Sequence, residues 1–154
     1  MNSYLILGAA ALAGTLGGVA SLVVPAGSNG APTALPAPST TFSLCHTGGG
    51  RNCVVDGDTI WLEGVKIRVA DIDAPETHPP RCTVEANLGT RATQRLQELI
   101  NAGPFEVQQA PDGRDEDRYG RKLRVLVRHG QSLGDVLVSE GLARRWTGRR
   151  EPWC

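Results

Sequence analysis

The chain has 154 residues, enough for one ordinary folded domain, and carries 16 basic and 16 acidic side chains for a formal net charge of +0 at pH 7. That balance excludes a protein that coats nucleic acid by bulk electrostatics, which requires a basic excess to release many counterions, so any phosphate binding is local. Every formally charged side chain lies between Arg51 and Glu151, which sets the first fifty residues apart.

From Tyr4 to Val24 the sequence is uncharged and apolar on all faces, and it ends at Pro25. As a helix it would extend roughly 30 Å, the thickness of a bilayer's hydrocarbon core. Residues 1–26 are expected to be a signal peptide or an N-terminal membrane anchor; no Lys or Arg lies near either end to orient them. Residues 27–41, rich in Gly, Ser, Pro, Ala and Thr, bury too little apolar surface to offset their ordering entropy and read as a disordered linker. The folded domain is expected to span residues 42–154. Cys45, Cys53, Cys82 and Cys154 contain no C-x-x-C pair, and His46, His78 and His129 do not complete a zinc pattern with them. Disulfides are the better reading, which puts the domain outside the cytosol: secreted, periplasmic, or anchored in an inner membrane by residues 4–24.

Cys45 and Cys53 bracket a short loop that a disulfide could close. Asp56-Gly57 is a turn signal, Thr59 to Leu62 alternates as a strand, Glu63-Gly64 is a second tight turn, and Val65 to Ile72 reads as the next strand of an antiparallel meander. Alternation puts Val65, Ile67, Val69 and Asp71 on one face and Lys66, Arg68, Ala70 and Ile72 on the other, although a bulge would shift the register. Pro75, Pro79 and Pro80 break regular structure. Leu88, Ala92, Leu96, Leu99 and Ile100 then recur at helical spacing between Thr83 and Asn101, and Gly103-Pro104 stops the run. Phe105 to Val107 and Lys122 to Arg128 read as strands. Ser132 is an N-cap for a short amphipathic helix that ends at Gly141. Strands and helices together predict a small curled OB-type β-barrel with helices at its side.

The chemistry is concentrated between Val55 and Glu76. Asp56 and Asp71 taken alone are turn acids. Asp58, Asp73 and Glu76 come from separate strands and supply the hard oxygens that Ca²⁺ or Mg²⁺ requires; without a cation they would repel one another. Arg68, between them in sequence, is either their ion-pair partner or a phosphate clamp. Downstream, Gly120 permits a turn that presents Arg121 away from the following strand. The histidines read as solvated, and Trp61 and Trp146 as packing residues.

These residues fall into three blocks, V-V-D-G-D-T, I-R-V-A-D-I-D-A-P-E and D-R-Y-G-R, followed by Gly141-Leu142-Ala143. In that order and spacing, the chain from about Phe42 onward resembles the thermonucleases, the staphylococcal-nuclease-like domains. The resemblance implies a five-stranded OB-type barrel with helices and Ca²⁺-dependent hydrolysis of DNA and RNA phosphodiesters by one bound ion, for which other divalent ions could stand in. By position it implies Asp58 and Asp73 as metal carboxylates and the backbone carbonyl of Ala74 as a further ligand. Glu76 would activate the attacking water, while Arg68 and Arg121 would hold the phosphate and stabilise the transition state. Tyr119 and Thr59 are implied as substrate-binding residues.

Two features depart from the family. Its third, C-terminal helix is not expected here, and a Cys82–Cys154 disulfide is expected to staple the shortened tail onto the loop after Glu76. A tyrosine-containing segment reads Arg145-Trp146-Thr147 instead. The expected partners are DNA or RNA as substrate and, through the N-terminal segment, a membrane; the domain is expected to be a monomer. A competing expectation is a noncatalytic OB-type module that binds nucleic acid or protein.

Overall fold

The computed structural model describes residues 40–46 and 50–154. The apolar segment at residues 4–24, nearly all of the linker, and residues 47–49 of the Cys45–Cys53 loop lie outside the described residues. Among the described residues no helix is long and apolar enough to cross a membrane.

The elements in chain order are β1 (Ser43–Leu44), β2 (Cys53–Asp56), β3 (Thr59–Leu62), β4 (Val65–Val69), β5 (Ile72–Asp73), α1 (Thr83–Asn101), β6 (Glu106–Gln109), β7 (Lys122–Arg128), β8 (Gln131–Ser132), α2 (Leu133–Ser139) and β9 (Arg144–Arg145). Strands β2, β3 and β4 form the antiparallel meander. Its second turn places Glu63 and Gly64 at φ 50° and 81°, the doubly positive geometry of a two-residue hairpin whose twist matches its strands. Strand β4 then pairs in parallel with β7. A parallel pair needs a long crossover, which the segment carrying α1 and β6 provides. The main sheet has the order β1-β2-β3-β4-β7-β6, with β8 also on β7. Its five longer strands and two helices make an α+β fold of the five-stranded OB type.

One core joins these layers. Ala92, Leu96, Leu99 and Ile100 of α1 pack with Val54, Ile60, Ile67, Val69 and Leu126 of the sheet and with Leu133 and Leu137 of α2. Phe42 is buried there too, and its backbone N–H donates to Asn101 Oδ1 at 2.8 Å while its carbonyl accepts from Gln97 and Asn101 at 2.9 Å. Ser132 caps α2, its hydroxyl accepting from the N–H groups of Gly134 and Asp135.

The strand expected to run from Val65 to Ile72 ends instead at Val69, and a turn at Ala70-Asp71 separates it from β5. The extra turn shifts the register, so Ile72 is fully buried with Ile67 and Val69 in the core instead of sharing a face with Lys66 and Arg68. Asp71 takes a structural post: its Oδ2 accepts from Ser132 Oγ at 2.5 Å, at the start of α2.

Beyond α2, β9 pairs antiparallel with β5, setting Arg144 opposite Asp73 and Arg145 opposite Ile72. Residues 146–154 form neither helix nor strand and run back to the N-terminus of α1, where Cys154 is bonded to Cys82. The second disulfide joins Cys45 to Cys53 beside the paired strands β1 and β2.

Candidate active site

The site begins at the β2–β3 corner. Asp56 Oδ1 accepts the N–H of Asp58 at 3.1 Å and so bends the chain. Gly57 is needed here for closeness: a Cβ on it would lie 2.7 Å from that of Ala92 and 2.8 Å from that of Ala74. The corner thereby sits directly on α1 and on the end of β5. Asp58 is left 3% exposed. Its Oδ1 accepts the Thr59 hydroxyl at 2.9 Å, and its Oδ2 accepts the Ala74 N–H at 3.3 Å. Burial, reinforced by the charge of Asp58, pushes the Asp56 carboxyl up to about 7.

Sheet register brings Arg68 to this corner, since Thr59 lies opposite Arg68 across the β3–β4 pair. The Arg68 guanidinium donates to the carbonyls of Val69 and Ile72 at 2.9 and 3.1 Å. It faces Asp58 at 3.2 Å and Asp73 at 3.7 Å, and lies 4.9 Å from the centre of the Trp146 ring. Of the two sequence readings of Arg68, the ion-pair partner is the one displayed, and the same side chain also lines the cleft. Trp146 reaches it because β9 is held against β5 and its own N–H donates to the Asp71 carbonyl at 2.9 Å.

Glu76 follows β5 on a loop that α1 clamps through two residues the sequence reading did not single out. Glu85 is buried and accepts the backbone N–H groups of Glu76 at 3.4 Å and Arg81 at 2.6 Å. Gly89 lets the helix approach so closely that a Cβ would lie 2.8 Å from the Pro75 carbonyl oxygen and 3.0 Å from that of Glu76. A legible signal existed for Glu85: an acid three residues after the helix-capping Cys82 stands at the reaching-back position of a capping box.

Arg121 approaches from the loop before β7. Gly120, at φ 75°, makes the turn. Asp117 then fixes the arginine by accepting its N–H at 3.0 Å and its Nε at 2.7 Å, while Nη1 donates to Thr59 Oγ1 at 3.3 Å. Thr59 thus bridges Asp58 to Arg121. The exposed Tyr119 ring lies 5.6 Å from the Arg121 guanidinium and 4.8 Å from that of Arg118. The three histidines are exposed and apart from the site.

A third residue not singled out by the sequence stands in the middle. Arg150, legible only as part of a basic tail, inserts its guanidinium among the three acids expected to hold a cation. Its Nε donates to Asp73 Oδ1 at 2.9 Å, its Nη1 pairs with Glu76 Oε1, and its Nη2 is 3.8 Å from Asp58 Oδ2. Burial alone would lower the Arg150 pKa, but the Glu76 hydrogen bond and the charges of Asp73, Glu76 and Asp58 outweigh it and hold it above the ordinary arginine value. Burial raises the Asp73 carboxyl, with the arginines opposing. Among the described residues, no three His, Cys, Asp or Glu side chains converge as a ready metal site. The donor set still suits a hard divalent cation: all its groups are oxygens, and the buried Asp73 Oδ2 has no hydrogen-bond partner.

A cleft of about 910 Å³ opens over these groups, lined by Arg68, Glu76, Arg121, Tyr119, Trp146 and Arg150, with Lys66, Arg81, Arg114, Arg118 and Arg149 adding positive charge. Fold and site define a small OB-type domain with an acid–arginine centre in a basic cleft. The model of the family described as "Staphylococcal nuclease homologue" matches residues 66–152, and the chain belongs to that family. It is 37% identical over 94 residues to Endonuclease YncB of Bacillus subtilis (strain 168), covering 58% of this chain and 44% of that protein. It is 32% identical over 103 residues to Micrococcal nuclease of Shigella flexneri, covering 58% and 53%. The chain thus spans about half the length of these curated relatives.

Proposed function

We propose that this domain is an exported, metal-dependent nuclease that hydrolyses phosphodiester bonds of DNA, RNA or both. The observation that carries the reading is the gathering of Asp58, Asp73, Glu76, Arg68 and Arg121 from separate loops and strands, with Glu76 and the two arginines lining one basic cleft and the two aspartates buried beside Arg68. Family membership and the names of the relatives support it, as does the general metal dependence of the family. The two disulfides support a location outside the cytosol.

A phosphodiester resists attack because its oxygens are anionic, so positive charge must meet it first. Arg121, steadied by Asp117, and Arg68, held by two carbonyls, present fixed guanidinium groups to two phosphate oxygens. Asp58, Asp73 and the Ala74 carbonyl would hold a divalent ion, Ca²⁺ in the reading we favour, which when bound neutralises further phosphate charge. Glu76 takes a proton from water, the water oxygen forms the new bond to phosphorus, and the ester P–O bond breaks. The leaving alkoxide takes a proton from solvent. Tyr119 and Thr59 position the substrate, Thr59 through its contact with Arg121.

The test is incubation of the purified full chain with single-stranded DNA, double-stranded DNA and RNA, each in Ca²⁺, Mg²⁺ or chelator. Cleavage that requires a divalent ion, with a Glu76→Gln variant whose turnover falls while KM holds, is the expected result. A wild-type chain that cleaves none of the substrates under any of these conditions would overturn the reading in favour of a noncatalytic binding module.

A further inference from the structure

The tail strap raises a question that the proposed chemistry leaves open. A divalent ion on Asp58, Asp73 and Glu76 would meet two guanidinium groups there rather than Arg68 alone, and Glu76 cannot take a proton on an oxygen already paired with Arg150. We propose that Arg150 is a tethered counter-cation that competes with the divalent ion for Asp58, Asp73 and Glu76 and thereby sets the affinity of the domain for metal. This rests on the metal-dependent reading above.

The geometry is specific to this side chain. Three different nitrogens of one guanidinium address three carboxylates, whereas Arg68, from the other side, faces only Asp58 and Asp73. Arg149, next in sequence, is 80% exposed and pairs with Glu151. With both Arg68 and Arg150 in place, the three carboxylates carry one uncompensated negative charge. Withdrawal of Arg150 leaves two, which a divalent ion neutralises. A dication and a guanidinium sharing these oxygens would repel each other strongly in so poorly hydrated a place. Nor does the guanidinium satisfy every carboxylate oxygen, because the buried Asp73 Oδ2 is left without a partner.

The tether accounts for how a surface arginine comes to compete. At one end β9 pairs with β5, the strand that carries Asp73. At the other, Cys154 is bonded to Cys82, the cap of the helix that clamps the Glu76 loop. Held on both sides, the guanidinium acts at a high effective concentration. Yet it can leave: its side chain is 30% exposed, against 4% for Asp58 and Asp73, and it lies in a stretch without helix or strand. Swinging one long side chain into solvent frees Glu76 and leaves Asp58 and Asp73 with Arg68 alone.

Isothermal titration of Ca²⁺ alone into the full chain, without nucleic acid, tests this in wild type, Arg150→Gln, Arg150→Lys and Arg149→Gln. Arg150→Gln is expected to bind Ca²⁺ more tightly than wild type by about 5- to 150-fold, the range of ordinary coupling between ligands. Arg150→Lys, whose compact ammonium cannot span three carboxylates, is expected to fall between them, and Arg149→Gln, which removes an equal charge that touches none of the three acids, to raise affinity far less than Arg150→Gln. Should Arg150→Gln fail to fold, tighter binding by Arg150→Lys carries the proposal. Unchanged or weaker binding in the folded Arg150 variants, with wild type still binding Ca²⁺ and cleaving DNA, overturns the competition alone. No Ca²⁺ binding by any form, with cleavage persisting in chelator, overturns the metal reading and the competition with it.

Discussion

The two walls of the cleft are built differently. On the sheet side, Asp58 and Asp73 are each 3% exposed and Arg68 7%; Asp58 is fixed by the Ala74 N–H and the close Gly57 contact with α1, Arg68 by the Val69 and Ile72 carbonyls, and Asp73 by its buried place in β5. On the tail side, the segment from Arg144 onward is held by a two-residue strand pair, the Trp146 N–H on the Asp71 carbonyl, an Arg145–Asp135 ion pair at 2.7 Å, Arg144 stacked 3.8 Å from the centre of the Trp153 ring, the Arg150 contacts and one disulfide. Displacing an acid on the first wall means opening the core. Displacing Arg150 on the second means breaking partly exposed polar contacts, the kind of low-energy local opening that binding sites draw on.

The largest expected effect comes from breaking the rigid wall. In Arg68→Lys the charge survives, but one ammonium cannot hold two carbonyls, face two carboxylates and stack on Trp146. Turnover on DNA should fall by about 10²- to 10³-fold, the size seen when one preorganised donor to a developing anion is lost. Steady-state kinetics with a thermal melt beside them would check it. Near-normal turnover in a folded variant would remove Arg68 from the chemistry.

Much of this wall was readable beforehand, because it rests on local patterns. The apolar spacing from Leu88 to Ile100 predicts a helix between Thr83 and Asn101, which is where α1 runs, and Ser132 announces α2 as its cap. Of the motif blocks, Asp58, Asp73, Glu76, Arg68 and Arg121 are brought together by the fold, while Asp71 is drawn away to Ser132. What escaped depends on pairings distant in sequence. The register shift that buries Ile72 cannot be placed from alternation alone, because the turn at Ala70-Asp71 belongs with Ser132, 61 residues from Asp71. Arg150 lies 77 residues from Asp73, and nothing in a run of exposed basic residues distinguishes it until the β5–β9 pair and the Cys82–Cys154 bond are known. Gly57 read as a turn residue, although its close contacts with Ala74 and Ala92 show that packing also demands it.

A middle-sized effect separates packing from propensity on the rigid wall. Gly89→Ala in α1 would add about 1 kcal/mol of stability if helix propensity alone decided it. The new methyl, however, would meet the carbonyl oxygens of Pro75 and Glu76, backbone atoms that cannot rotate away. Overpacking of this kind costs about 1–3 kcal/mol, so the expected net change is a loss of stability in urea titrations, with turnover reduced because the Glu76 loop must shift. A stabilised variant of full activity would show that the loop yields freely and that α1 does not position Glu76.

The smallest effect is expected on the tail wall, from Cys154→Ser. Removing that link frees the far end of the strap but leaves β9 on β5 and Arg150 in reach of its acids. The effective concentration of the guanidinium drops without vanishing, so Ca²⁺ affinity should rise, though by less than in Arg150→Gln. Native-state amide exchange should quicken between residues 146 and 154 while the interior of α1 and β7 keep their protection, since the core they share does not include the strap. If exchange instead quickens throughout the sheet, the tail is as integral as the opposite wall. The acids and their counter-cation would then be parts of one rigid structure, and Arg150 could not yield its place to a metal without unfolding it.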